Sequence, residues 1–162
     1  MQRLWAPWRM KYILDMDKTD GCIFCEKPKQ SQDAENFILC RGKHAYIILN
    51  TFPYNNGHLL IVPYRHTAEM AELTDDEKLE LMTLTAKSIE ALRCQLHPDG
   101  FNVGMNLGRA AGAGIDEHIH LHIIPRWNGD TNFMPVVADT KVVAEGLEEC
   151  FNRLRSAFER DG

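Results

Sequence analysis

His118-Ile119-His120-Leu121-His122-Ile123-Ile124 is the stretch on which the reading of this chain turns. Histidine alternates with aliphatic residues, the period of a β-strand, so a strand is expected over 118–124. Side chains on a strand alternate faces. His118, His120 and His122 therefore share one face, while Ile119, Leu121 and Ile123 share the other. The imidazoles then stand roughly 6–7 Å apart at Cβ, from a rise of about 3.3 Å per residue. The aliphatic face anchors the strand in a core and leaves three titratable rings lining a cleft. One histidine in such a place is more often a satisfied core residue. Three in register, in a chain with seven, mark a site.

Upstream of this stretch, Gly108-Arg109-Ala110-Ala111-Gly112-Ala113-Gly114 reads as a small-residue loop whose exposed backbone N–H groups suit an anion. Phe101 to Leu107 alternates as a strand. Phe37–Cys40, Ala45–Leu49 and His58–Val62 are short aliphatic runs bounded by turn residues, and are expected as strands too. Thr74-Asp75-Asp76-Glu77 is a capping box that opens a helix ending before Pro98, with Leu79, Met82, Ala86, Ile89 and Leu96 expected near its buried face. Val143, Leu147, Cys150, Phe151, Leu154 and Phe158 trace a C-terminal helix. The fold class is thus α+β, a five-stranded, mostly antiparallel sheet with two helices. Residues 1–162 are expected to form a single domain. Its first 20 residues, carrying Leu4, Trp5, Trp8, Met10, Tyr12 and Ile13, are too apolar to dangle and are expected to pack on the domain or on a partner subunit.

Composition bounds the function. The chain has 162 residues, 44% hydrophobic and 25% charged, the profile of a globular protein. A net charge of −5 disfavours a nucleic-acid partner but permits a small phosphorylated ligand. No apolar run approaches the roughly 18 residues that span a bilayer, so no membrane partner is expected. Five cysteines, an odd number, and no signal peptide at the N-terminus point to a reducing, cytoplasmic location.

Two chemistries suit the three histidines. A His-x-His pair can converge on a catalytic metal. Alternatively one ring is a covalent nucleophile for phosphorus while its neighbours orient it and bind phosphate oxygens. The Gly-rich loop directly before the strand, with Arg109 and Arg126 flanking it, favours the second.

The motif His-x-His-x-His followed by two apolar residues is similar to the signature of the histidine-triad (HIT) family of nucleotide hydrolases and transferases. LWAPWRMKYI, GCIFC, LNTFPYNNGHLLIVPYRH, FNVGMNLG and HIHLHIIPRWNGDTNF resemble its bacterial dinucleoside-tetraphosphate (Ap4A) phosphorylase branch, over residues 3 to about 145. The resemblance implies His120 as nucleophile on the α-phosphorus, His122 at the phosphate or bridging oxygen, His118 as orienting residue and His58 facing the triad. It also implies Asn50 at the ribose hydroxyls and Asn106 near the phosphates. Many members carry Gln and Ser before the triad. Here Gly114-Ile115-Asp116-Glu117 stands instead, so the backbone of Gly112, Ala113 and Gly114 is expected to carry more of the phosphate binding, with Arg126 beside it. Asp116, on the histidine face by alternation, is expected to orient His118 or a metal-bound ring.

Cys22-Ile23-Phe24-Cys25 has the spacing that brings two thiolates to one zinc. A redox pair or two buried thiols fit the same spacing, although the βαβ context of a thioredoxin-like motif is missing. By resemblance to members that complete a Cys2His2 set, His66 and His118 are the further ligands of a structural Zn2+. Cys40, Cys94 and Cys150 are expected in the core, and His44 and His97 at the solvent edge. The activity implied is cleavage of dinucleoside polyphosphates such as Ap4A through a nucleotidyl-histidine, with inorganic phosphate as acceptor and ADP and ATP as products. The alternatives are a hydrolase or phosphoramidase that releases AMP with water, and a nucleotide-binding sensor without turnover. A homodimer with a continuous sheet is implied as well.

Overall fold

The computed structural model describes residues 21–130 and 145–159. The expected N-terminal packing of Trp5 and Trp8, and Val143, lie outside them. Five strands form one antiparallel sheet in the order β1-β2-β3-β5-β4. They are β1 (Ile38–Arg41), β2 (Ala45–Leu49), β3 (Leu59–Pro63), β4 (Gly100–Met105) and β5 (Leu121–Arg126). The helices are a single turn, α1 (Ile23–Glu26), the long α2 (Asp75–Leu96) and α3 (Leu147–Glu159).

Strands β2 and β3 are buried at every position, which is why AYIIL and LLIVP read as continuous apolar runs without alternation. One face of the sheet, with Ile47, Leu49, Leu59 and Ile61, packs under α2 and α3. The other, with Tyr46, Ile48, Leu60 and Val62, is covered by α1 through Phe24. Tyr46 ties the two together by donating its hydroxyl to the Phe24 carbonyl at 2.8 Å. The face on which α1 sits also carries the histidines.

Helix α2 starts at the expected capping box: Thr74 Oγ1 accepts from Glu77 N and Glu77 Oε2 accepts from Thr74 N. Its buried stripe differs from the expected one. Glu77, Leu81, Leu84, Thr85, Ser88, Ala91 and Leu92 face inward, whereas Leu79 is 68% and Met82 60% exposed. The small residues Thr85, Ser88 and Ala91 complete this stripe beside Leu81, Leu84 and Leu92, and periodicity counted from large aliphatics alone misses them. Cys94, expected in the core, sits on the exposed side of the same helix. Glu77 is buried because it also pairs with Arg65 at 3.0 Å, and Glu80 grips the β1–β2 turn by accepting from Lys43 N and His44 N. Gly42 is required there, since a Cβ would meet Ala45 O and the Glu80 carboxylate at 2.9 Å.

The fifth strand begins three residues later than expected. Ladder pairing starts at Leu121, so His118, Ile119 and His120 form a lead-in held at Ile119 N, which donates to Thr67 O at 2.7 Å. The alternation of faces still holds, because Ile119, Leu121 and Ile123 all enter the core under the helices.

Candidate active site and metal cluster

Four histidines are buried: His58 and His118 at 0% exposure, His120 and His122 at 7%. Strand β3 begins directly after His58, and β5 carries His122. Gly57, at φ +70, makes the turn before His58, where a Cβ would sit 2.5 Å from Leu96 Cδ1. Hydrogen-bond partners fix the tautomer of each ring. Tyr54 N donates to His58 Nδ1 at 3.0 Å and Asn50 Nδ2 approaches the same atom at 3.2 Å, so that nitrogen carries no proton. His58 Nε2–H must then donate to His122 Nδ1, 2.9 Å away. That leaves the His122 proton on Nε2, a buried atom without a partner among the described residues. An unpartnered buried donor is costly in an isolated protein. It is explained if a ligand oxygen is its partner.

His120 has the opposite arrangement. Its Nδ1–H donates to the His118 carbonyl at 2.8 Å, which leaves the lone pair on Nε2. Burial lowers its pKa, and burial together with the nearby His120 pushes His122 down to about 4. Both rings are therefore neutral at physiological pH, one offering a lone pair and the other an N–H.

His118 faces away from this cleft. Its Nε2–H donates to Pro63 O at 2.8 Å, so Nδ1 is the free ligand atom. Around it stand Cys22 Sγ at 3.3 Å, His66 Nδ1 at 3.3 Å and Cys25 Sγ at 3.5 Å, with Cys25 Sγ 3.4 Å from His66 Nδ1. All four ligand atoms lie within 4.8 Å of one another. A tetrahedral ion with metal–sulfur and metal–nitrogen bonds of about 2.3 and 2.05 Å needs edges of roughly 3.5 Å between S and N and 3.3 Å between two N. The four spacings of 3.3–3.5 Å given above match those edges. Burial and the neighbouring Cys22 push the Cys25 thiol up to about 11, a cost that a bound cation removes by taking the thiolate. The residues present can hold a metal.

The remaining expected residues divide. Asn50 touches His58 and also accepts from Phe52 N at 3.0 Å. The β4–β5 register pairs Met105 with Leu121, and one step further sets Asn106 opposite His120. A Cβ on Gly112 or Gly114 would meet nothing within 4 Å, so the loop is open on that side. Arg126 is not brought to the histidines. It lies about 13 Å along β5 from His122 and is held by Asp130 at 2.7 Å and Asn102 at 2.8 Å. Asp116 does not reach His118, because it pairs with Arg109 at 2.7 Å. The two line a cavity of about 640 Å³ that opens onto the outer side of the metal cluster, beside Cys25, His66 and Gly114.

Four contributors were not foreseen. The carbonyls of Pro63 and His118 set two tautomers, and backbone groups leave no trace in residue type. Phe24, between the two cysteines, places its ring 4.9 Å from His120. Tyr54 lies 12° from parallel to His122 at 5.7 Å.

Comparison with known proteins agrees with this geometry. The model of the HIT domain matches residues 31–129. The AP-4-A phosphorylase of Mycobacterium tuberculosis is 40% identical over 99% of this chain and 86% of its own length. The adenosine 5'-monophosphoramidase of Schizosaccharomyces pombe is 35% identical over 67% of this chain and 76% of its own. A zinc-bound histidine triad family protein from Mycobacterium smegmatis superposes with a TM-score of 0.68 at 29% identity, covering 86% of this chain and 94% of that one. With the histidine cleft, the sheet order and a match over 31–129 in agreement, the chain belongs to the histidine triad family.

Proposed function

We propose that this protein cleaves dinucleoside polyphosphates such as Ap4A by phosphorolysis, through a nucleotidyl-His120 intermediate. The observation that carries the reading is the pair of opposite tautomers, a lone pair on His120 Nε2 and a proton on His122 Nε2. The His120 lone pair attacks the α-phosphorus, forming a P–N bond as the bridging P–O bond breaks. The leaving oxygen departs as ATP, accepting the His122 Nε2–H hydrogen bond. A phosphate oxygen then attacks the same phosphorus, the P–N bond breaks and ADP leaves. Splitting one displacement into two lowers each barrier. Of the three expected loop amides, those of Gly112 and Ala113 are given to Arg109 O at 3.0 Å and Gly108 O at 3.3 Å, so Gly114 N is the donor left for the charge that develops. Asn50 takes the ribose and Asn106 a phosphate oxygen. His58 acts through His122 by fixing its tautomer. Arg126 has no part in this reading, since its guanidinium is already held.

Phosphate is favoured over water as acceptor because the relative matched over nearly the whole chain is a phosphorylase. In the metal cluster we propose Zn2+, which suits Cys2His2 donors. Cys22, Cys25, His66 and His118 would hold it, and it would supply a structural clip between the cysteine turn and the histidine strand. The edge position of β4 in the sheet, with Val103 45% and Leu107 53% exposed, supports a homodimer joined edge to edge. Five free thiols support a reducing, cytoplasmic setting. Among the described residues, no helix is long and apolar enough to cross a membrane.

The test is incubation with Ap4A, with and without phosphate. Phosphate-dependent ADP and ATP are expected. AMP formed equally well without phosphate would replace phosphorolysis with hydrolysis, and nucleotide binding without turnover would leave a sensor.

A further inference from the structure

Four rings stand in a row across the site. Phe24 and His120 have centroids 4.9 Å apart, His120 and His122 4.8 Å, and His122 and Tyr54 5.7 Å. The row has a direction. In a displacement at phosphorus, nucleophile and leaving oxygen lie roughly in line on opposite sides. His120 marks the entering side and the His122 Nε2–H donor the departing side, so Phe24 closes the nucleophile end and Tyr54 the leaving-group end.

Tyr54 is built to stay at that end. Its backbone N–H holds His58 Nδ1 at 3.0 Å, and its ring lies 4.8 Å from His58. One face of the ring lies near-parallel to His122 at 12°. The residue is nevertheless 47% exposed, an unusual exposure for a large aromatic side chain next to a buried catalytic cluster. Gly104 pairs with His122 across β4–β5, and a Cβ there would meet nothing within 4 Å, so space beside His122 is open. A fixed aromatic face with its other side in solvent is a stacking platform for a base, since every base offers a π face.

We infer that Tyr54 binds the second nucleoside of the substrate, stacking on the base of the nucleotide that leaves. The inference rests on the dinucleoside-polyphosphate reading above. It makes the ring a specificity determinant: Tyr54 favours a leaving group that ends in a nucleoside over a bare polyphosphate.

The test compares Ap4A with adenosine 5'-tetraphosphate, which has the same four phosphates and lacks the second nucleoside. Wild-type protein and the Tyr54→Ala, Tyr54→Phe and Tyr54→Trp variants are assayed on both, in phosphate. The wild-type protein is expected to prefer Ap4A, and the ratio of the two kcat/KM values is expected to fall about tenfold in Tyr54→Ala, mainly through KM for Ap4A. Phe and Trp at position 54 are expected to preserve the ratio, which separates loss of the ring from loss of the fold. An equal loss on both substrates would overturn the platform and leave the ring as a cover for His122. A wild-type protein that does not discriminate overturns the platform alone. One that turns over neither substrate overturns the parent reading as well.

Discussion

His118 and His120 are two residues apart, equally buried in kind, and opposite in chemistry. His118 commits its Nε2–H to Pro63 and presents Nδ1 to two cysteines and His66. His120 commits its Nδ1–H to the His118 carbonyl and presents Nε2 to the cleft. Residue type and strand position do not separate them. The carbonyl that each ring meets does, because a neutral imidazole that donates from one nitrogen must accept at the other. The same contrast separates the two clusters. At one, four ligand atoms converge on a point. At the other, a relay from Tyr54 N through His58 ends in a single N–H with no partner among the described residues. The clusters share one group, the His118 residue, whose ring belongs to the metal cluster and whose carbonyl accepts from His120, the proposed nucleophile.

That sharing can be broken from either side. His120→Ala is expected to lower turnover by about 10⁴-fold or more, as loss of a covalent nucleophile does, while metal content is unchanged. Cys25→Ser is expected to empty the metal cluster and to lower turnover by a smaller factor, about 10²-fold. The nucleophile survives in that variant, but the carbonyl that orients it is no longer clipped, and misplacement by about 1 Å is enough for such a loss. Metal analysis and kcat on the two purified variants check both halves. Full activity in Cys25→Ser would separate the clusters.

A second contrast is one of charge. The metal cluster offers two thiols that a bound cation would hold as thiolates, whereas the cleft holds neutral rings. His122 has a folded pKa near 4 against an ordinary value of about 6.5. Between those values the unfolded chain binds a proton that the native one refuses. Its contribution to stability is therefore complete above about pH 6.5 and is lost as pH falls toward 4. His118 and His120 are shifted in the same direction. In a Cys25→Ser background, where metal release cannot add to the slope, His122→Asn is expected to flatten the pH dependence of urea unfolding between pH 4 and 6.5. One proton corresponds to at most about 1.4 kcal/mol per pH unit. An unchanged slope would mean that His122 titrates normally.

The sheet was legible because β2 and β3 are buried on both faces and the histidine stretch alternates. Each pattern is a property of consecutive side chains. The helix stripe was misread because α2 buries Leu81, Leu84 and Leu92 together with the small Thr85, Ser88 and Ala91, so the large residues Leu79 and Met82 were free to face outward. At the site, spacing and family resemblance brought Cys22, Cys25, His66 and His118 together correctly as a cluster. What spacing could not reach was pairing across loops. Arg126 and Asp130 satisfy each other at 2.7 Å, as do Arg109 and Asp116. A charge near a site in sequence is spoken for once its counter-charge is closer.

Asp116 gives the smallest expected effect and the sharpest test of that last point. Alternation places it on the histidine face, where a carboxylate could orient His118. In the structure its partner is Arg109, which holds its carboxyl below the usual range, and no hydrogen bond joins it to His118 among the described residues. His118 has no need of it, because Pro63 O already fixes the ring. Arg109 is largely solvent-exposed, and an ion pair screened by water contributes little to stability. Asp116→Asn is therefore expected to keep metal content at the wild-type level and kcat/KM within about twofold. A loss of metal, or a fall in kcat of tenfold or more, would return Asp116 to the metal cluster as a partner of His118 and make the exposed Arg109 pair a resting state of that carboxylate.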